Sequence, residues 1–234
     1  MLKPVKHKKI SDQIYEQLRD MIYRGEYEAG QRLMTEREMA SFFGVGRPTV
    51  RVAIQKLINN SLVTIKQGVG TFVAEHSPLD EHAPFFQLLG DDDFSITEFQ
   101  EIRYALEARS AELAAKRATE EDLQLIEISL ERIRNEKDAG VVQMKTDISL
   151  HMNIAYASKN TVLIQFMKNF YDLQLHVMDV AYTKIFKSME LNKLIFKQHF
   201  EIVDAIKNHN PEKARKAMEE HIGVVLAVCQ EHGL

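Results

Sequence analysis

Arg47, Thr49 and Arg51 stand close together in the stretch GVGRPTVRVAIQKL, and all three carry donors suited to nucleic acid. The arginine fork grips guanine O6 and N7 in a bidentate manner, and a threonine hydroxyl serves a base edge or a phosphate. Val50, Ala53, Ile54 and Leu57 recur at helical spacing and must face a core. The three polar side chains therefore lie outside that stripe, near the start of the helix. Arg37, on the preceding segment, can take a phosphate or a base. Further on, Lys66-Gln67-Gly68-Val69-Gly70 combines a positive charge with glycines that let a backbone approach a ligand closely. One arginine of this kind more often solvates a helix surface; the ordered set points to DNA contact.

A second set could hold a metal. His151 shares an apolar stripe with Met144, Ile148, Ile154 and Ala155, and Asp147 sits one turn before it. His199 lies on a face with Ile195, Ile202, Val203 and Ile206, and His221 on one with Ala214, Met218, Val224, Val225 and Val228. A buried imidazole without partners costs about 1–3 kcal/mol, so each ring requires a hydrogen-bond partner or a ligand. Imidazoles and a carboxylate from separate helices are also the donor set of metal sites in helical bundles. Spacing alone leaves both readings open: satisfied core histidines, or an Asp/His₃ site. His176, near Leu173, Val177 and Val180, reads as a core or pocket-lining ring. His7, His76, His82, His209 and His232 occupy polar or terminal contexts and are assigned no role.

The elements that must position these groups follow from periodicity and punctuation. A first helix is expected from about Ser11 to Tyr23, with Ile14, Leu18, Met21 and Ile22 on one face. Thr35 followed by Glu38 is a capping-box pattern for a second helix that runs to Phe43. Gly44-Val45-Gly46 makes a turn, and Pro48 sits where a third helix begins, ending at Asn59-Asn60. Leu62–Lys66 and Thr71–Val73 read as short strands joined through Gly68 and Gly70. That order is a winged helix-turn-helix, whose later helix enters the DNA major groove. Residues 77–94, SPLDEHAPFFQLLGDDDF, read as a linker. Helices are then expected over 95–117, 120–137, 140–158, 161–186, 189–208 and 211–231. Ser95 with Glu98, Thr119 with Asp122, and Asn210 before Pro211 are their start signals. The predicted fold class is mainly α: a winged helix-turn-helix domain over 1–76, then an all-α helical bundle over 95–234.

Charge divides along the same boundary. Residues 1–76 carry 12 Lys/Arg against 8 Asp/Glu, whereas residues 77–234 carry 18 against 26. A basic head on an acidic body suits a nucleic-acid reader attached to something that is not one. No apolar run approaches the roughly 18 residues of a membrane span. The basic start, MLKPVKHKKI, leads into no apolar stretch, so a secretory signal is not expected. Cys229 is the only cysteine; it reads as a core thiol, excludes an internal disulfide and fits a reducing cytoplasm.

The pattern R-x₆-G-V-x-R-P-T-V-R-x-A, followed by Q-G-x-G-T-F-V, resembles the GntR family of bacterial transcription regulators. Here it is carried by Arg37, Gly44, Val45, Arg47, Pro48, Thr49, Val50, Arg51 and Ala53, then Gln67, Gly68, Gly70, Thr71, Phe72 and Val73. The resemblance implies DNA contact by Arg37, Arg47, Thr49 and Arg51, with the wing at Gln67-Gly68. Arg103, Glu107, Ala111, Ala114 and Ala115 resemble the first effector-domain helix of its FadR-type (FCD) branch. Many members carry D-x-x-x-H on a later helix and two further histidines on the last two long helices, which Asp147, His151, His199 and His221 match. A divalent metal is thereby implied, with Zn, Ni and Mn all compatible with such donors. Open coordination positions would accept a small carboxylate effector. Arg103 is the cation expected to grip it, the alternative being an intrahelical ion pair with Glu107.

The function expected is a cytoplasmic homodimeric regulator on a pseudo-palindromic double-stranded operator, with a small organic acid bound beside the metal modulating its affinity. A metal sensor, in which the ion is the effector, is the nearest alternative. A metal-dependent hydrolase is the alternative from another class. The chain has no HExxH motif, second metal cluster or positioned general base, so an enzyme is not expected.

Overall fold

The structure, a computed structural model, describes residues 9–60, 62–74, 95–138, 144–177 and 189–231. It divides into two compact units, Met1–Ala83 and Pro84–Leu234. The expected linker at 77–94 lies outside the described residues, as do 140–143 and 178–186 at the ends of two expected helices.

In the first unit, helix α1 (Ile10–Tyr23) buries Ile14, Leu18 and Tyr23. Met21 and Ile22, expected on that face, are only half-buried; Tyr23 takes the inward position at the last turn. Helix α2 (Glu36–Phe43) starts on the anticipated capping box: Glu38 N–H donates to Thr35 Oγ1 at 3.2 Å, and Thr35 N–H donates to Glu38 Oε2 at 2.7 Å. Gly44 ends it at φ 64°, a left-handed conformation that needs no Cβ. Helix α3 (Arg47–Asn59) carries Pro48 in its first turn and buries Val50, Ala53, Ile54 and Leu57. Lys56 Nζ donates to Asp12 Oδ1 at 2.6 Å and ties α3 to α1. Strands β1 (Val63–Lys66) and β2 (Gly70–Val73) pair antiparallel, with Val63 opposite Val73 and Lys66 opposite Gly70. Arg32 bridges to Phe72 on the other edge of β2, so the wing is braced by the segment that precedes α2.

The second unit contains α4 (Ile96–Arg117), α5 (Glu120–Asp138), α6 (Met144–Ala157), α7 (Thr161–Val177), α8 (Met189–Lys207) and α9 (Pro211–Glu231). The expected start signals act as caps. Ser95 makes a full capping box with Glu98, Thr119 pairs with Asp122, and Asn210 Oδ1 accepts from Lys213 N–H at 3.1 Å. Small residues let the helices approach closely: Ala111, Ala114 and Ala115 of α4 join Ala214, Met218 and Ile222 of α9 in one core with Ile202 and Ile206 of α8. Helix α6 runs through the interior, with every residue from Asp147 to Ala157 buried. No helix among the described residues is long and apolar enough to cross a membrane.

Candidate functional site

Three helices bring the predicted ligands together. Asp147 and His151 come from α6, His199 from α8 and His221 from α9. The three imidazoles are 0–1% exposed, and one nitrogen of each lies within 4.8 Å of the others. His199 Nε2 is 3.2 Å from Asp147 Oδ1 and 3.3 Å from His151 Nε2; His151 Nε2 is 3.9 Å from the same carboxylate oxygen. Atoms bound about 2.0–2.2 Å from one ion stand roughly 3–3.5 Å apart, so the two separations that His199 makes fit a shared cation, and the one between His151 and Asp147 is a few tenths of an ångström longer. The hydrogen bonding fits as well. Among the described residues, His199 Nδ1 and both nitrogens of His221 are buried without a hydrogen-bond partner, a costly state for rings that serve packing alone. Burial lowers the pKa of both rings, and His221 is pushed well down with further help from His199 and His151, so both are held neutral, the form that ligates metal.

Helix α4 supplies the next shell of partners. Glu107, 1% exposed, accepts from Arg103 Nε at 2.5 Å, from Tyr171 Oη at 2.7 Å and from His151 Nδ1. A carboxylate can only accept, so Nδ1 carries the His151 proton and Nε2 keeps its lone pair. Arg103 reports the same tautomer, because its Nη2 donor lies 3.4 Å from His151 Nε2. Burial alone would raise the Glu107 pKa, but the Arg103 guanidinium and His151 outweigh it and hold it at about 2. Asp147 is likewise kept well below the usual carboxylate range: burial opposes ionisation, and His151, His199 and Arg103 overcome it. Arg103, 2% exposed, also places Nη2 3.8 Å from Asp147 Oδ2. It thus makes the ion pair with Glu107 and faces the imidazole cluster at once.

The sequence reading placed Glu107 only as an ion-pair partner of Arg103, which it is, and did not foresee its contact with His151; Tyr171 it did not single out at all. The available signal for Glu107 was the polar stripe Gln100, Arg103, Glu107 and Ser110, which has helical spacing but is wholly buried. Nothing in the sequence marks Tyr171. The side chain of His176 lies outside those described.

In the first unit, Arg37 on α2 and Arg47 and Arg51 on α3 are exposed, and Thr49 is half-buried beside them. Gln67 and Gly68 occupy the exposed hairpin tip, with Gly68 at φ 74°. Lys66 Nζ, beside that tip, lies 4.8 Å over the Phe72 ring.

A winged helix with arginines at the start of its third helix, followed along the chain by a helical bundle with a buried cluster of histidine and carboxylate side chains, defines a one-chain transcription regulator. Residues 10–73 match the family model of bacterial regulatory proteins, gntR family, and residues 98–224 match that of the FCD domain. The chain belongs to the GntR family of bacterial transcription regulators, with an FCD-type effector domain. It is 32% identical, over 93% of its length and 85% of the relative's, to an Escherichia coli (strain K12) protein described as a candidate L-lactate dehydrogenase operon regulatory protein. It is 29% identical, over 99% of its length and 88% of the relative's, to the HTH-type transcriptional repressor NanR of E. coli (strain K12). Among solved structures, Lar of Listeria monocytogenes shares the fold at 18% identity and a TM-score of 0.52, covering 97% of this chain and 99% of that one. These relatives are regulators, not enzymes.

Proposed function

We propose that the bundle holds a divalent metal on Asp147, His151, His199 and His221, and that a small organic acid bound beside it sets the protein's affinity for its operator. The single observation behind this reading is the meeting of three fully buried imidazoles, two of which face the Asp147 carboxylate, with ring nitrogens that have no hydrogen-bond partner among the described residues. A bound ion would offer Lewis-acidic positions to a carboxylate ligand. Arg103 is the residue proposed to orient that ligand, since Glu107 occupies its Nε and leaves Nη2 facing Asp147 and His151. That a relative is named for an L-lactate dehydrogenase operon accords with a small carboxylate.

At the other unit, Arg37, Arg47, Thr49 and Arg51 would read the major groove while Gln67 and Gly68 touch the flanking backbone or minor groove. One such head reads one half-site, so we infer a homodimer on a pseudo-palindromic operator, acting in the cytoplasm where that DNA lies. Ligand control follows only if the acid binds two arrangements of the protein unequally.

The test joins metal analysis to operator binding. Purified protein is expected to carry about one divalent ion per chain, and His199→Ala to lose it with an altered melting temperature. Titration of candidate carboxylates is expected to shift operator affinity. Full occupancy in His199→Ala would remove it from the ligand set. Operator affinity that follows metal alone, whatever acid is added, would turn the reading toward a metal sensor.

A further inference from the structure

Glu36, the first residue of α2, has its carboxylate committed to the recognition helix. Arg51 Nε donates to Glu36 Oε1 at 3.1 Å and Arg51 Nη2 to Glu36 Oε2 at 2.8 Å, while Arg47 Nη2 lies 3.8 Å from that second oxygen. A guanidinium has five N–H donors, and this side-on pairing consumes two. Both Nη1 hydrogens and the second Nη2 hydrogen remain. Those form the end-on edge of the fork, the pair of nitrogens that meets guanine O6 and N7.

Two consequences follow for a helix that enters the groove. First, Arg51 is fixed in one rotamer before DNA arrives, so less side-chain entropy is lost on binding. Second, a carboxylate beside two arginines repels phosphate oxygens and blunts the attraction that any duplex would exert. One group therefore favours the correct base and disfavours sequence-independent binding. Because the pair is solvent-exposed, its removal should leave the domain folded.

We propose that Glu36 is a specificity-determining residue that buttresses Arg51 for end-on reading of a guanine and penalises binding to unrelated duplex. The inference rests on the DNA-reading role of α3, and its test separates the two. The full-length wild-type chain selects its operator from a random duplex pool. Affinities for the selected and a scrambled duplex are then measured by fluorescence anisotropy across a salt series. Glu36→Ala is expected to weaken operator binding, tighten scrambled binding and so shrink the specificity ratio about tenfold. Its salt dependence on scrambled DNA should steepen by roughly one phosphate contact. Glu36→Gln, which keeps one acceptor oxygen but no charge, should fall between. In an Arg51→Ala background, Glu36→Ala should no longer change base preference. An unchanged ratio in Glu36→Ala, equal weakening on both duplexes, or the same loss without Arg51 would overturn the buttress. Failure of the wild type to select any sequence would instead remove the reading role of α3, and the buttress with it.

Discussion

A carboxylate in a helical core usually signals a satisfied ion pair, and Glu107 is that, but it does more. It takes three donors, from Arg103, Tyr171 and His151, and so fixes which nitrogen of His151 is free to ligate. A partner that orients a ligating imidazole typically contributes a factor of 10–100 in metal affinity. Glu107→Gln keeps one acceptor but introduces an amide that competes with those donors. Zinc affinity, read by isothermal titration calorimetry, is expected to drop by about 10–100-fold, with Glu107→Asp giving partial recovery. Unaltered affinity in Glu107→Gln would show that His151 needs no orienting partner.

Among the elements, α2 and α4 show how local signals place functional side chains. The Thr35–Glu38 box fixes where α2 begins and thereby sets Glu36 opposite Arg51. Losing such a cap costs about 0.5–2 kcal/mol. Thr35→Ala should therefore destabilise the winged helix by that amount in chemical denaturation while the metal content of the bundle stays constant; a melt indistinguishable from wild type would show that the cap is dispensable. Helix α4 works differently. Its alanine face packs on α9, and its polar stripe, which a surface helix would turn to water, is buried toward α6 and α7 instead. Gly70 has a local reason too: φ 145° strains any L side chain, and an added Cβ would come within 2.8 Å of Arg32 Nε beside the hairpin tip.

The molecule as a whole divides into a basic head and an acidic body, and the body carries the acid-sensitive groups. Burial depresses the pKa of His199 and His221 below the ordinary 6.5. Above pH 6.5 both rings are neutral whether folded or unfolded. Below it the unfolded chain takes up protons that the folded bundle refuses, so stability must fall as pH drops from 6.5 toward the depressed folded values. Thermal melts of metal-free protein between pH 8 and pH 5 are expected to show the bundle losing stability over that range; a constant melting temperature would mean that the rings accept protons where they sit. The sequence by itself determined the order of helices and wing, the stripe that holds α3 inward, the caps at Thr35, Ser95, Thr119 and Asn210, and the histidines on apolar faces. Each depends on neighbours within a turn or two, where spacing dictates direction. Only the tertiary structure decided that His151, His199 and His221 meet, that Glu107 and Tyr171 stand behind them, and that Glu36 holds Arg51. Those contacts join residues far apart in the chain, and helix periodicity shows which face is buried, but the packing of one helix on another decides what that face meets.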